Sequence, residues 1–261
     1  MAKIGTFPQT GPTYGTYQWL QMRVGLYLRD DLGEPGLQTT ANYTNWDAYQ
    51  TGVVDHIIQS GVREFYFPIL APGQKRPYPW SFLKAAGTIT QVSGTDAYTL
   101  PADFGGWVGD FTAAEGDATR RLKVIYEGDV RASYGMENTD ADPEYVAVRA
   151  IAHTTLTADQ TFEVVFFPKP NSTNVLHYRY TYVPAILTTT NLYPSGVAGH
   201  AETIAASCLA KAEQIVKGQV GPMTQNYQQR LQASVMLDSG FAGASNDDLF
   251  DVKAIMRQAE A

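Results

Sequence analysis

The stretch Trp80–Phe104, WSFLKAAGTITQVSGTDAYTLPADF, constrains this chain most, because a helical pattern ends there and a β pattern begins. Two aromatic anchors, Trp80 and Phe82, precede a β-branched run through Thr88, Ile89, Thr90 and Val92. Ser93-Gly94-Thr95-Asp96 reads as a turn, since glycine reaches positive φ without a Cβ clash and aspartate can bond its own backbone. A second short run closes at Leu100-Pro101-Ala102-Asp103-Phe104, where Pro101 has no N–H to extend a ladder. The two runs read as an opening strand pair. The stretch holds no nucleophile–base pair and no metal-ligand spacing, so its role is architectural.

Before it, residues 1–16 are rich in Pro, Gly and Thr and read as a flexible arm. Tyr17, Leu20, Val24 and Leu28 recur at helical spacing, and Gly33-Glu34-Pro35-Gly36 stops that helix. A second stripe runs through Trp46, Tyr49, Val53, Ile57 and Phe65, widened by Val54, Ile58 and Val62, with Thr44 or Asn45 as its expected cap. It should end before Pro68, and residues 68–79, with four prolines, read as a connector.

After it, residues 87–182 read mostly as strand. The clearest signal is Val175–Val183, where Val175, His177, Arg179 and Thr181 alternate with Leu176, Tyr178, Tyr180 and Tyr182. Gly128–Tyr134 could form one or two helical turns. Helical spacing returns at 198–217, with Ser195 as a possible cap and Gly218 as its stop, and again after Gly221-Pro222, where Met223, Tyr227, Leu231 and Val235 stand four apart. Gly240 and Gly243, between Asp238 and Asn246, break that helix. A last segment carries Leu249, Phe250, Val252, Ile255 and Met256 on one face, with Asp247 and Asp248 where a helix dipole favours negative charge.

The order helices, strands, helices gives an α+β class. The expected architecture is an antiparallel helix bundle from 17–67 plus 195–237, with an inserted β-rich subdomain at 80–185 and a C-terminal docking segment at 238–261.

Charged residues are only 17% of the 261, against roughly 25% in ordinary soluble chains. Aromatics reach 12%. That balance suits surfaces buried against other subunits. The net charge of −7 argues against gripping nucleic acid, which needs clustered Lys and Arg. One cysteine, Cys208, excludes an internal disulfide. No apolar run reaches the ~18–20 residues of a membrane span, and the N-terminal sequence lacks a signal-peptide pattern, so a reducing cytoplasm is the expected site of synthesis.

Chemistry-bearing residues are scattered. His56, His153, His177 and His200 lie far from one another and from Cys208, so no zinc spacing exists. His56 reads as a helical surface residue, His177 as part of a solvated strand face, and His200 as polarity near a helix start. Cys208, on the apolar side of an Ala-rich helix, reads as a buried thiol. No phosphate-binding glycine loop or nucleophile elbow occurs. A glycan-binding or glycan-cleaving protein would need two carboxyls beside an aromatic platform, and Asp103, Asp110, Glu115, Asp117, Glu127 and Asp129 are the acids to weigh, with Trp107, Phe111 and Tyr126 as the aromatics. The reading is therefore non-enzymatic, with no catalytic residue, cofactor or metal site.

Several motifs in fixed order resemble a known family. Phe65-Tyr66-Phe67-Pro68 ends the first helix pair and Trp80-Ser81-Phe82-Leu83 follows. Gly94–Phe104 is similar to a segment of the form G-x-x-x-Y-x-L-P-x-D-F. Gly128-Asp129-Val130-Arg131 with Tyr134-Gly135, then Asp142-Pro143-Glu144-Tyr145, then Phe166-Phe167-Pro168-Lys169-Pro170 before Tyr178, Tyr180 and Pro184, complete the set. Over about residues 17–237 the chain resembles the head-to-tail connector (adaptor) proteins of tailed phages, of the tail tubular protein A type. The resemblance implies a virion structural protein in a ring of commonly 12 copies at the neck. The ring would lie between the portal protein and a downstream neck or tail protein, assembled in the host cytoplasm. Genome DNA would pass through it without specific binding, and no membrane would be involved. It implies docking on the portal by the C-terminal segment, through Leu249, Phe250, Val252, Ile255 and Met256. A tail-side neck or stopper protein is the alternative within the same class.

Overall fold

The computed structural model describes residues 12–35, 45–68, 77–113, 121–136, 140–151 and 160–241. The fold is α+β, with five helices and a large curled sheet among the described residues. The chain divides into two compact units, one of residues Met1–Phe82 with Ala185–Ala261 and one of Leu83–Pro184.

The first unit holds helices α1 (Tyr17–Leu32), α2 (Ala48–Tyr66), α4 (Val197–Lys217) and α5 (Pro222–Phe241). α1 starts where the Thr16 hydroxyl accepts from the Trp19 N–H and stops at Gly33, whose φ of 86° suits glycine. α2 is capped three residues past Thr44: Asp47 and Gln50 form a reciprocal capping box, which satisfies two free ends at once and displaces the Thr44 or Asn45 cap read from the sequence. The stripe of α2 is also rotated. Thr51, Val54, Ile57, Ile58, Val62 and Phe65 are buried, while Tyr49 is 76% exposed. Ser195 does not cap α4. Its N–H donates to the Tyr66 hydroxyl at 2.7 Å, and Gly196 takes the cap position at φ 74° without a side-chain bond.

α4 is the central helix of this unit, packing on α1, α2 and α5. Its contact with α2 is close because Gly61 has no side chain: a Cβ there would lie 2.6 Å from the Cys208 Cα. The Ser207 hydroxyl donates to the Gly61 carbonyl at 2.7 Å across the same contact. α4 ends at Gly218, φ 63°, and the Glu213 carboxylate reaches forward to accept from the N–H groups of Gly221 and Thr224 at 2.9 and 3.1 Å. Those bonds to the charged form hold the Glu213 carboxyl below its usual range, against the opposing effect of burial, and they satisfy the start of α5.

Among the described residues, the second unit is built on nine strands and one helix: β1 (Lys84–Thr90), β2 (Ala97–Thr99), β3 (Phe104–Ala113), β4 (Arg121–Val124), α3 (Glu127–Met136), β5 (Asp140–Ala141), β6 (Tyr145–Ala150), β7 (Phe162–Phe167), β8 (Lys169–Pro170) and β9 (Val175–Tyr182). Seven strands form one sheet in the order β1-β9-β3-β4-β6-β7-β2, and β5 pairs with β8. The expected pairing of the two opening runs does not occur. β1 pairs with β9 and β2 with β7, at opposite ends of the strand order. Seven strands in a flat sheet would hold the outer two roughly 29 Å apart. The segment from Thr90 to Ala97 spans at most about 24 Å when extended. The sheet must therefore curl until its edges approach. The Tyr98 hydroxyl fixes that join, accepting from the Val92 N–H at 2.7 Å and donating to the Thr95 carbonyl at 3.0 Å, while Gly94, φ 78°, donates to the Pro170 carbonyl at 2.8 Å.

Inside the curl lie Ile89, Leu100, Phe104, Phe111, Leu122, Val146, Val164, Phe166, Leu176, Tyr178 and Tyr180. The alternation along β9 sets its inner row, Leu176, Tyr178 and Tyr180, with Val175, His177 and Arg179 outward. β4 and β6 are parallel, so the chain between them crosses over, and α3 is the helix of that crossover. α3 covers Ala147 and Val165 with Val130. It is longer than the one or two turns read at Gly128–Tyr134, because its first turn carries Glu127 and Asp129 and its far end has the Tyr134 hydroxyl donating to the Phe166 carbonyl.

Candidate interaction site

α5 runs to Phe241, through Asp238 and Gly240, where the glycines read as a break. A tertiary anchor overrides them. Asp238 is 1% exposed and accepts from the Ser81 hydroxyl at 2.5 Å, the Ser81 N–H at 3.0 Å and the Tyr78 hydroxyl at 3.2 Å. A glycine in a helix costs about 1 kcal/mol. Hydrogen bonds to a charged group contribute about 1.5–3 kcal/mol each, so the anchor wins. It ties the Tyr78–Phe82 segment to the last turns of α5. Burial and the neighbouring Asp238 charge push the Tyr78 hydroxyl above its usual pKa.

Above this anchor lies a cluster of rings. Trp80, fully buried, donates its indole N–H to the Phe65 carbonyl at 2.9 Å and packs against Phe65, Tyr78 and Phe82. His200 completes it, with ring centroids 5.2 Å from Trp80, 5.5 Å from Phe82 and 5.8 Å from Phe65. His200 is 4% exposed, so it is a core residue and not helix-start polarity. Burial pulls its pKa down from 6.5, against the opposing charge of Asp238. Its position in the first turn of α4 concealed this, and the nearest signal was the run of aromatics at Phe65, Trp80 and Phe82.

On the α4–α5 side a cleft of about 250 Å³ opens, lined among others by Tyr14, Gly199, Glu202, Arg230, Ala233 and Leu237. Its floor includes Thr203 and Ser234, whose hydroxyls lie 2.6 Å apart and bond each other. Its rim is charged. Arg23 donates to Glu202 at 2.9 Å and Arg230 stands 3.9 Å from the same carboxylate, so two guanidiniums face one acid. Arg23 also lies over the Trp19 ring at 4.9 Å. The open wall is apolar: Tyr14 is 59% and Leu237 45% exposed.

The other sequence candidates stay apart. His56 is exposed, and its neighbour Asp55 accepts from Gln21 at 2.8 Å. His177 is exposed on β9. Cys208 is fully buried, and burial pushes its thiol up, away from reactivity. Asp103 accepts from the Tyr180 hydroxyl at 3.2 Å, Asp110 is exposed, and Glu127 and Asp129 open α3. Trp107 stacks on Phe111 at 4.1 Å and on Tyr178 at 5.2 Å against the sheet core, which leaves it unlike a sugar platform. Among the described residues, no three His, Cys, Asp or Glu side chains are grouped to hold a metal, and no helix is long and apolar enough to cross a membrane. Glu115, Asp117, His153 and the docking residues Leu249, Phe250, Val252, Ile255 and Met256 lie outside the described residues.

The chain's sequence matches a protein-family model, SU10 adaptor protein, over residues 15–248. No curated protein matches it.

Proposed function

We propose, because this chain belongs to the SU10 adaptor protein family, that it is the ring-forming adaptor at the neck of a tailed phage, between portal and tail. Membership itself makes it a phage adaptor and points to a structural, non-enzymatic role. The match over residues 15–248 is the observation that carries the reading, since it takes in both compact units. The finer reading adds an antiparallel bundle in the helical unit, about 12 copies around a channel, and passage of genome DNA without specific binding. The acidic balance, −7 overall, favours a channel that does not hold DNA. The low share of charged residues favours subunit packing.

The portal contact falls to Leu249, Phe250, Val252, Ile255 and Met256. A short amphipathic segment of this kind is unstable alone and gains its order from a groove on a partner. Because α5 continues to Phe241, the segment to remove is 242–261. The shortened chain should keep its sheet signal and its cooperative unfolding, lose no more helix signal than the removed residues carry, and lose co-sedimentation with purified portal. Undiminished co-sedimentation would overturn the assignment of the segment.

A further inference from the structure

We infer that the α4–α5 cleft is the docking site of the chain's own residues 247–259, folded back along α5 when no partner holds them. The cleft presents Tyr14, Ala233 and Leu237 to solvent. α5 ends at Phe241, only four residues beyond Leu237. Ala242–Asn246 then provides a connection of five small or polar residues, the length that joins antiparallel helices.

The register follows from helix rise. Arg230 lies eleven residues before Phe241 (241 − 230), and residue 258 lies eleven after 247, each about 16 Å at ~1.5 Å per residue. Folded back, Ile255 comes level with Ala233 and Val252 within one residue of Leu237, so the apolar spacing of the segment meets the apolar wall. The tether favours the chain's own segment over a second copy's. A five-residue connection gives an effective concentration in the millimolar range. An intrinsic affinity of only ~0.1 mM would then keep the segment docked about nine-tenths of the time. A portal that took up the same segment, as proposed above, would have to displace it, but the docking itself does not rest on that reading.

Hydrogen exchange of the full-length chain without partner tests this. Amides of 247–259 should exchange about tenfold more slowly than in the free peptide, equally at low and high micromolar protein. Leu237→Asp, at an exposed position, should return them to the free-peptide rate, and Gln228→Asp, exposed on α5 away from the cleft, should not. Free-peptide rates in the unaltered chain, or protection that survives Leu237→Asp, would overturn the inference. Protection that vanishes on dilution would also overturn it and assign the cleft to a second copy.

Discussion

Asp238 and His200 sit side by side in the helical unit and respond to different insults. Asp238→Ala leaves the Ser81 N–H and two hydroxyls without their charged acceptor, and should cost about 2–3 kcal/mol in urea unfolding, with Asp238→Asn costing less. An unchanged midpoint would show that the anchor does not hold α5. His200 acts through pH. Its folded-state pKa is depressed, so below pH 6.5 the unfolded chain binds a proton that the native chain does not. Stability attributable to it is therefore full above about pH 6.5 and falls as pH drops below that value. The depressed Glu213 carboxyl contributes in a separate window, lost only as pH falls below its ordinary 4.5. Denaturation at pH 8 and pH 5.5 should show a loss that His200→Gln removes. Equal losses in both chains would place the pH response elsewhere.

At the scale of elements, the contact of α2 with α4 depends on Gly61. A methyl there meets the Cys208 backbone, which cannot rotate away as a side chain could, so Gly61→Ala should destabilise by about 1–3 kcal/mol despite alanine's better helix propensity. A raised melting temperature would contradict this packing. The same scale shows what the sequence could and could not say. Helix ends at Gly33 and Gly218 and the alternation along β9 were legible, because each depends on a local rule of backbone or period. β3 was hidden. Gly105, Gly106 and Gly109 interrupt its pattern, and a register shift between Val108 and Thr112 breaks its period. The partners of β1 and β2 were hidden as well, since pairing across the curled sheet joins residues up to 97 apart in sequence, Lys84 with Thr181. So were the α2 cap, the burial of His200 and the last turn of α5, all decided by contacts distant in sequence or by competition between neighbouring caps. The phage-adaptor class, though not the tail tubular protein A type, was legible because its motifs fall at turns and strand ends, where local chemistry dictates residue type.

For the molecule as a whole, the family match and the low charge density both point to a chain that works as part of an assembly. Nothing in the geometry gathers groups for catalysis among the described residues. The surfaces that stand out are the α4–α5 cleft and its apolar rim. The measurement that tests this account most directly is the mass and image of the purified chain mixed with purified portal, by native mass spectrometry and cryo-electron microscopy. The account predicts a closed ring of about twelve copies seated on the portal. A chain that stays monomeric and unattached at saturating portal would contradict it.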